Sequence, residues 1–454
     1  MELIYKIGNK LGIDKAIAYT SSNGVLSAFI GVFSVFLYAT CLTKEEQGYY
    51  YTFGSVMAIQ VFFELGFTGI MTQYVAHEHA HLKWNSDGIG LLGEDIYRSR
   101  LSSLLHFCLK WYFVIALLYW LVLQVGGFFF FKEFGKDDHV DWNLPWLILS
   151  LTSAWWLFSA PVFSFMRGLG LVKQMAKMEF YRTIVNTGIT WGALILGFKL
   201  YSMAFAAIAC VIYVLTYFVM HDFVAILKNI WKTEINERLV YMTEIFPYQW
   251  KIALSWISGY FIFNFMNPVI FATVGSVAAG QMGMSVNVLN SIRSFSMSWM
   301  NTKIPLISRL IELKDYLQLD RIFKKTIKQE LLVCFAILGL FWIVIFALRE
   351  SQFSINGKVL GERFLEYIPL LFVTIPVALQ MVTDNFATYL RCHKKEPFLV
   401  ISICSGLASA ASVLLLGKLF GLYGITAGYA IVSIVFFPWG LWIYRTKKKE
   451  WHHE

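Results

Sequence analysis

Twelve apolar runs of about 20 residues or more constrain what this chain can fold into more than any other feature. They lie near 19–42, 48–72, 107–131, 145–166, 178–198, 202–225, 249–272, 276–302, 329–349, 364–390, 397–417 and 422–444. At 1.5 Å per residue, each is long enough to cross a hydrocarbon core of about 30 Å as a helix. In that core a backbone N–H or C=O without a partner costs several kcal/mol, so a segment that closes its own hydrogen bonds is required. Charged residues make up 15% of the chain, against about 25% in soluble domains, which agrees. The expected fold is an all-α integral membrane protein of twelve transmembrane helices.

The net charge of +9 does not mark a nucleic-acid-binding protein, because the cations sit in short segments between apolar runs. With the N-terminus inside, the inner segments hold 28 of the 38 Lys and Arg residues and the outer loops hold 8. Lys110 and Arg293 fall within spans. The positive-inside rule then places both termini in the cytoplasm. Seven of the inner cations lie in one segment, between the eighth and ninth runs. The tail Arg445-Thr446-Lys447-Lys448-Lys449 reads as a stop held at anionic lipid. The N-terminal stretch MELIYKIGNKLGIDKA has no cleavage site after a short apolar core, so no removable signal peptide is expected. The six cysteines lack paired spacing, and no P-loop or nucleotide fingerprint stands out. Disulfides, Cys-bound metals and cofactors are therefore not expected.

The chain repeats itself. Glu46-Gln47-Gly48-Tyr49 opens the second helix as Ala278-Ala279-Gly280-Gln281 opens the eighth, an offset of 232. At the same offset Thr72 falls at Ile304, where both copies leave the membrane into an amphipathic segment. Phe165-Met166-Arg167 followed by LILGFKLYSMAFA matches Tyr389-Leu390-Arg391 followed by LLLGKLFGLYGITAG. The implied halves are 1–228 and 229–454, with six helices each. Six is even, so both halves keep one orientation, as parallel repeats about an axis along the membrane normal with a cavity between them.

Polar residues inside the runs are the candidate functional groups. Asn287, Asn290, Ser291, Ser294 and Ser298 fall on an arc of about 100°, which Arg293 flanks. Arg293 lies ten residues, or roughly 15 Å, from the span end at Lys303, which is about half a hydrocarbon core. A lipid-facing charge at that depth costs at least roughly 2.5–3.5 kcal/mol, so Arg293 should face a polar interior. It reads as a contact for phosphate or an acidic sugar; the structural alternative is an ion pair with Asp384. Glu64 and Asp384 are candidates for a coupling ion, or simply neutralise cationic neighbours. Asn23, Ser27, Gly31 and Ser34 form a small polar stripe on helix one, which suits either a cavity wall or close helix packing. Helix seven offers Asn264, and Pro268 removes one of its backbone hydrogen bonds, which predicts a bend.

The chain resembles bacterial polysaccharide (O-antigen, Wzx-like) flippases of the multidrug/oligosaccharidyl-lipid/polysaccharide exporter superfamily. The resemblance rests on Glu46-Gln47-Gly48-Tyr49-Tyr50, on Phe63-Glu64-Leu65-Gly66-Phe67, and on Gln73-Tyr74-Val75-Ala76. It continues in Pro305-Leu306-Ile307-Ser308-Arg309-Leu310 followed by Leu319-Asp320-Arg321, and the six-plus-six layout covers nearly the whole chain. The resemblance implies a MATE-like fold in the inner membrane, working by alternating access in lipopolysaccharide and surface-polysaccharide biosynthesis. It implies a cationic lumen for a pyrophosphate-linked glycan, with Arg293 in that role and Lys251 at the inner mouth. The implied partners are the lipid-linked oligosaccharide, membrane lipid and other polysaccharide-assembly proteins. A carboxylate in helix one would favour the cation-coupled drug-exporter branch; 18–42 contains none.

One motif points elsewhere. His77-Glu78-His79-Ala80-His81 satisfies the H-E-x-x-H pattern of zinc peptidases, with Glu94 or Asp95 as a third ligand. It sits at the end of helix two, before Lys83, Asn85, Ser86 and Asp87, where a solvated helix end is the plainer reading. The longest outer loops, about 132–144 and 350–363, are too short for a catalytic domain. The sequence therefore reads as a transporter and not an enzyme.

Overall fold

A computed structural model of the protein describes residues 26, 30–31, 33–136, 138–237, 240–393 and 395–452. Over its described residues, each of the twelve apolar runs falls on a helix or on successive helices meeting at breaks. In chain order these are α1 (33–41), α2 (Lys44–Met57), α3 (Val61–Glu64) and α4 (Phe67–His79), then strands β1 (Leu82–Trp84) and β2 (Leu91–Gly93). Next come α5 (Asp95–Val122), α6 (Phe128–Phe134), α7 (Asn143–Gly168), α8 (Val172–Ile195), α9 (Tyr201–Met220), α10 (Phe223–Lys232) and α11 (Tyr241–Glu244). The remainder is α12 (Phe246–Phe263), α13 (Met266–Thr273), α14 (Ser276–Asn301), α15 (Ile304–Glu312), α16 (Tyr316–Glu350), a hairpin of β3 (Ser354–Ile355) and β4 (Lys358–Val359), α17 (Tyr367–Arg391) and α18 (Leu399–His452).

By length and apolar content alone, seven helices among the described residues can cross a membrane, and a bent pair makes eight. The difference from twelve has two physical sources, apart from the first run. α8 and α14 are long enough but carry more polar side chains. α18 holds two runs in 54 residues, broken at Gly421. The first run is described only in part. Gly421 has φ +57, and beyond it the chain turns back: a Cβ on Gly424 would overlap the Leu416 carbonyl, and one on Gly428 the Ser412 hydroxyl. Residues 412 and 428 would stand roughly 24 Å apart in a straight helix, so α18 is a helical hairpin.

Two further breaks fall where the sequence frees the backbone. α3 and α4 meet at Leu65 (φ 50) and Gly66 (φ 67), both left-handed, and the pair bends by 45°. At Gly66 a Cβ would also collide with the Ile252 side chain, so glycine serves both conformation and space. α12 ends at Phe263, and α13 resumes at Met266. The bend lies four residues before Pro268, whose missing N–H leaves the Asn264 carbonyl without its helical donor. The two exits expected to be alike differ. After α14 the amphipathic α15 follows, whereas after α4 the chain forms the β1–β2 hairpin. Its Asn85-Ser86-Asp87-Gly88 turn explains this: Asp87 Oδ1 accepts from the Ile89 and Gly90 amides, and Gly88 has φ +69.

By internal contacts the chain separates into two compact units. Among the described residues, one comprises Met57–Lys132 and Asp141–Trp256. Here α4, α5 and α7 pack through small residues: Gly168 lies against Val75, Gly127 against the Trp146 ring, and the Thr72 hydroxyl donates to the Ser164 carbonyl at 3.2 Å. In lipid such close approach replaces the hydrophobic drive that water would supply. The other unit comprises Ala28–Val56, Glu133–Val140 and Ile257–Glu454. Its core includes Leu319, Phe323, Tyr389, Phe398, Ile443 and Trp451.

In this second unit α2 and α14 meet at the repeated motif. A Cβ on Gly280 would lie 2.8 Å from the Gly48 nitrogen, and one on Gly48 would overlap the Ser276 carbonyl. Gln47 Nε2 donates to the carbonyls of Gly280 at 2.8 Å and Arg363 at 3.0 Å. Gly48 and Gly280 are the residues that the 232-residue offset equates, and two equivalent residues in mutual contact is the arrangement found at a two-fold axis. The corner between α1 and α2 is tied down by the 354–363 loop. Lys358 Nζ donates to the Thr40 and Leu42 carbonyls, Arg363 Nη2 donates to Leu42, and Lys44 pairs with Glu362 at 2.5 Å. Carbonyls freed at the α1 C-terminus thereby find cationic donors. The Lys44 ammonium holds the Glu362 carboxyl below the usual carboxylate range.

Gly48→Ala should destabilise the protein, at the upper end of the roughly 1–3 kcal/mol typical of overpacking, because backbone rather than a side chain would have to yield. Thermal unfolding of the purified protein in detergent checks this. An unchanged midpoint would mean that the α2–α14 contact is looser than described.

Candidate functional site

Within the second unit, α14 and α17 with the end of α12 line an open cavity of about 450 Å³. Its polar wall is formed by Asn290, Arg293, Ser294 and Asn301 of α14 with Asp384, Thr388 and Arg391 of α17, and Phe263 and Met297 complete it. Positions 290, 293, 294, 297 and 301 follow the i, i+3, i+4 spacing of one helix face, and 384, 388 and 391 repeat it on α17. Two helical stripes facing each other bring these groups together.

Arg293 is held on three sides. Its Nε stands 3.0 Å from Asp384 Oδ2, its Nη1 donates to Gln380 Oε1 at 3.1 Å, and its guanidinium lies 5.4 Å from the centre of the Phe263 ring. Gln380 in turn donates from Nε2 to the Tyr429 hydroxyl at 2.8 Å, tying α17 to α18. The ion pair left open by the sequence is thus present, and it lies in the cavity wall. Arg391 makes a two-pronged pair with Glu396, Nε at 2.8 Å and Nη2 at 3.2 Å. The cavity therefore offers two planar cations beside amides and hydroxyls, a set suited to an anion carrying hydroxyl groups. An anionic ligand would have to compete with Asp384 and Glu396 for the arginines.

Behind this wall lies a second polar contact. Asn385 Nδ2 donates to Glu330 Oε1 at 3.0 Å, and both residues are fully buried. Glu330 Oε2 and Asn385 Oδ1 have no partner among the described residues. Glu330 is not legible as a site residue from sequence, because it stands at the edge of the ninth run just beyond Lys328 and reads as a span end. Gln380, Arg391 and Asn301 are equally unmarked; only the stripe spacing on α17 and α14 would have drawn them in.

The other expected site residues are dispersed. Asn287 is exposed and does not line the cavity: it shares the face of Asn290 and Ser294 but stands one turn nearer the start of α14, where the wall has not yet begun. Ser291 lies beside Gly31, with its hydroxyl 3.0 Å from where a Cβ would sit, so at Gly31 the helix-one stripe serves close packing. Asn264 stands at the α12–α13 break, with its N–H donating to the Tyr260 carbonyl. Lys251 is exposed in the first unit, near its neighbour Trp250. Asn23 and Ser27 lie outside the described residues. Glu64 accepts from the Thr68 hydroxyl at 2.5 Å beside the α3–α4 bend.

The H-E-x-x-H motif is organised differently from a zinc site. Glu78 is buried, not solvated, and its carboxylate meets Arg100 Nε at 2.9 Å, while Arg100 Nη2 reaches Glu244 at 2.6 Å. His81 stacks on Tyr97, and the His77 and His81 rings are 5.9 Å apart. Among the described residues no three His, Cys, Asp or Glu side chains converge as a metal site requires.

No family profile and no curated protein sequence matches the chain. Solved structures do. An inward-facing multidrug resistance MATE family transporter of the MOP superfamily aligns over 96% of this chain and 99% of its own, at 14% identity and TM-score 0.59. The MATE multidrug transporter DinF-BH, solved as a ligand complex, aligns over 94% of each chain at 14% identity and TM-score 0.56. The lipid II flippase MurJ, in an inward closed conformation, aligns over 93% of this chain and 86% of its own, at 13% identity and TM-score 0.54.

Asp384→Asn should destabilise the protein by about 1–2 kcal/mol, since it leaves the partly exposed Arg293 with a weaker partner. Adding Arg293→Gln should recover most of that loss. Strictly additive losses in a thermal-unfolding cycle would show that the two side chains are not coupled. Taken with its apolar helices, the alignments identify the chain as a multi-pass membrane protein with the fold of the MATE transporters.

Proposed function

We propose that this protein is a flippase that carries a polyprenyl-pyrophosphate-linked oligosaccharide from the cytoplasmic to the outer leaflet of the bacterial inner membrane, for surface polysaccharide synthesis. The observation that carries this reading is the pair of guanidinium groups, Arg293 and Arg391, in one cavity wall with Asn290, Asn301, Ser294 and Thr388. Guanidinium forks match phosphate oxygens, and amides and hydroxyls match sugar hydroxyls. The helix-two and helix 8–9 motifs shared with Wzx-like flippases support the same branch, as does a structural neighbour that is itself a lipid II flippase. In this reading the protein works by alternating access, with halves 1–228 and 229–454 as the moving bodies and both termini cytoplasmic. Arg293 and Asn290 hold the head group and Arg391 adds a second cation. Asn287, Lys251, Asn264, Asn23 and Ser27 are lesser contacts along the path.

A second reading is a cation-coupled exporter of drugs or other small amphipathic molecules on the same fold. Asp384 in the cavity, with Phe263 and Met297 beside it, favours this reading, because a carboxylate and apolar surface suit a cationic amphiphile. The two neighbours that bear multidrug names point the same way.

Lipid extracts of a deletion strain separate the two. The flippase reading expects a complete lipid-linked oligosaccharide to accumulate and surface polymer to be lost. The wild-type gene should reverse both effects, and Arg293→Ala should not, although it reaches the membrane in normal amount. Intact surface polymer in the deletion strain, together with dye efflux that depends on Asp384, would favour the exporter instead.

A further inference from the structure

The longest amphipathic stretch outside the cavity runs from Lys303 to Lys328, over α15 and the first third of α16. It carries seven cations, Lys303, Arg309, Lys314, Arg321, Lys324, Lys325 and Lys328, and every one is exposed. None makes an ion pair among the described residues. Cations at other helix ends behave otherwise: Arg391 pairs with Glu396, and Lys447 with Glu450. The nearest acid on α16, Asp320, is already taken by Lys448 at 2.6 Å.

The geometry of α16 says what these cations face. At 100° per residue, Arg321, Lys324, Lys325 and Lys328 fall within an arc of about 100°. Leu319, Phe323, Thr326 and Glu330, all buried, fall on the opposite side. Further along the helix the cationic arc continues into Leu332, 67% exposed, and Phe335, 57% exposed; one turn before Arg321 it holds Leu317, 88% exposed. From Leu332 onward this face of α16 is apolar and uncovered, which makes it lipid-facing there. The four cations on that same face therefore stand at the depth where acyl chains give way to head groups. α15 lies alongside: Ile307 and Leu310 are buried against the core that holds Leu319 and Phe323, and Leu306 and Arg309 are exposed.

We propose that Arg321, Lys324, Lys325 and Lys328, with Lys303, Arg309 and Lys314 of the adjoining segment, form a binding surface for the head groups of anionic phospholipids. Charge complementarity selects this occupant. Unpaired cations on a lipid-facing helix meet phosphates held in the bilayer plane, and Leu332 and Phe335 beyond them meet the acyl chains. The surface also adjoins the cavity in sequence, since α14, which carries Arg293, leads directly through Lys303 into α15. Lipid bound here would steady the end of the helix that forms the cavity wall.

The test uses the full-length protein in nanodiscs of phosphatidylcholine with increasing phosphatidylglycerol, read by thermal unfolding and by lipid counting in native mass spectrometry. A head-group contact is worth about fivefold in affinity per cation. A variant with Arg321, Lys324, Lys325 and Lys328 all changed to Gln should lose at least tenfold in phosphatidylglycerol affinity, and raised salt should weaken the wild type in the same way. The charge-keeping variant with Arg321→Lys and the three lysines changed to Arg should bind as the wild type does, and so should Lys136→Gln at a distant loop. Equal stabilisation of wild type and the four-Gln variant by phosphatidylglycerol would overturn the proposal. So would competition by inorganic pyrophosphate at low concentration, which would assign the cations to a soluble anion.

Discussion

Each backbone N–H and C=O that lies in hydrocarbon must be satisfied within its own segment, and the architecture follows from that demand. It makes the apolar runs helices and confines irregular backbone to places where other groups take over. At the α1 C-terminus, Lys358 and Arg363 supply donors to the freed carbonyls of Thr40 and Leu42. At the α12–α13 break the cause is Pro268, and at Leu65 and Gly66 it is a left-handed pair. The bends are thus local consequences of residues that cannot continue a helix, and they set the directions along which side chains point.

With little hydrophobic drive between helices in lipid, packing rests on small residues and buried polar contacts. Gly48 against Gly280, Gly168 against Val75 and Gly127 against Trp146 let backbones approach to where no side chain fits. Buried polar groups then fix the register: Gln47 on the Gly280 and Arg363 carbonyls, and Asn385 on Glu330. The charges follow the same logic. Arg293 is tolerable in a helix bundle because Asp384, Gln380 and a phenyl ring surround it. That arrangement also leaves it partly open to a cavity, so a group that stabilises the fold is positioned to meet a ligand.

Much of this was written in the chain. The twelve runs, the repeat at an offset of 232, the bend near Pro268 and the polarity of the Arg293 face follow from length, periodicity and residue type, which are local properties. Of the two readings of Arg293 that the sequence left open, a ligand contact or an ion pair with Asp384, the second rested on two opposite charges in apolar helices, and the pair is present. The hairpin after α4 was less visible: the repeat led to the expectation of an amphipathic segment like that after α14, and Asn85-Ser86-Asp87-Gly88 sets a turn there instead.

By itself the sequence determined the class of fold, the number of runs and which residue types had to leave the lipid, because these depend on segment length and transfer cost. Tertiary structure decided which polar residues share a cavity. Asn290 and Arg293 meet Asp384 and Arg391 because these stretches of α14 and α17 lie at one level, while Asn287, on the same face of α14, stands a turn before the wall begins. It also decided that Glu330 is buried and that Arg321, Lys324, Lys325 and Lys328 lie on the uncovered side of α16. Helical spacing tells which side chains share a face; only packing tells what that face meets.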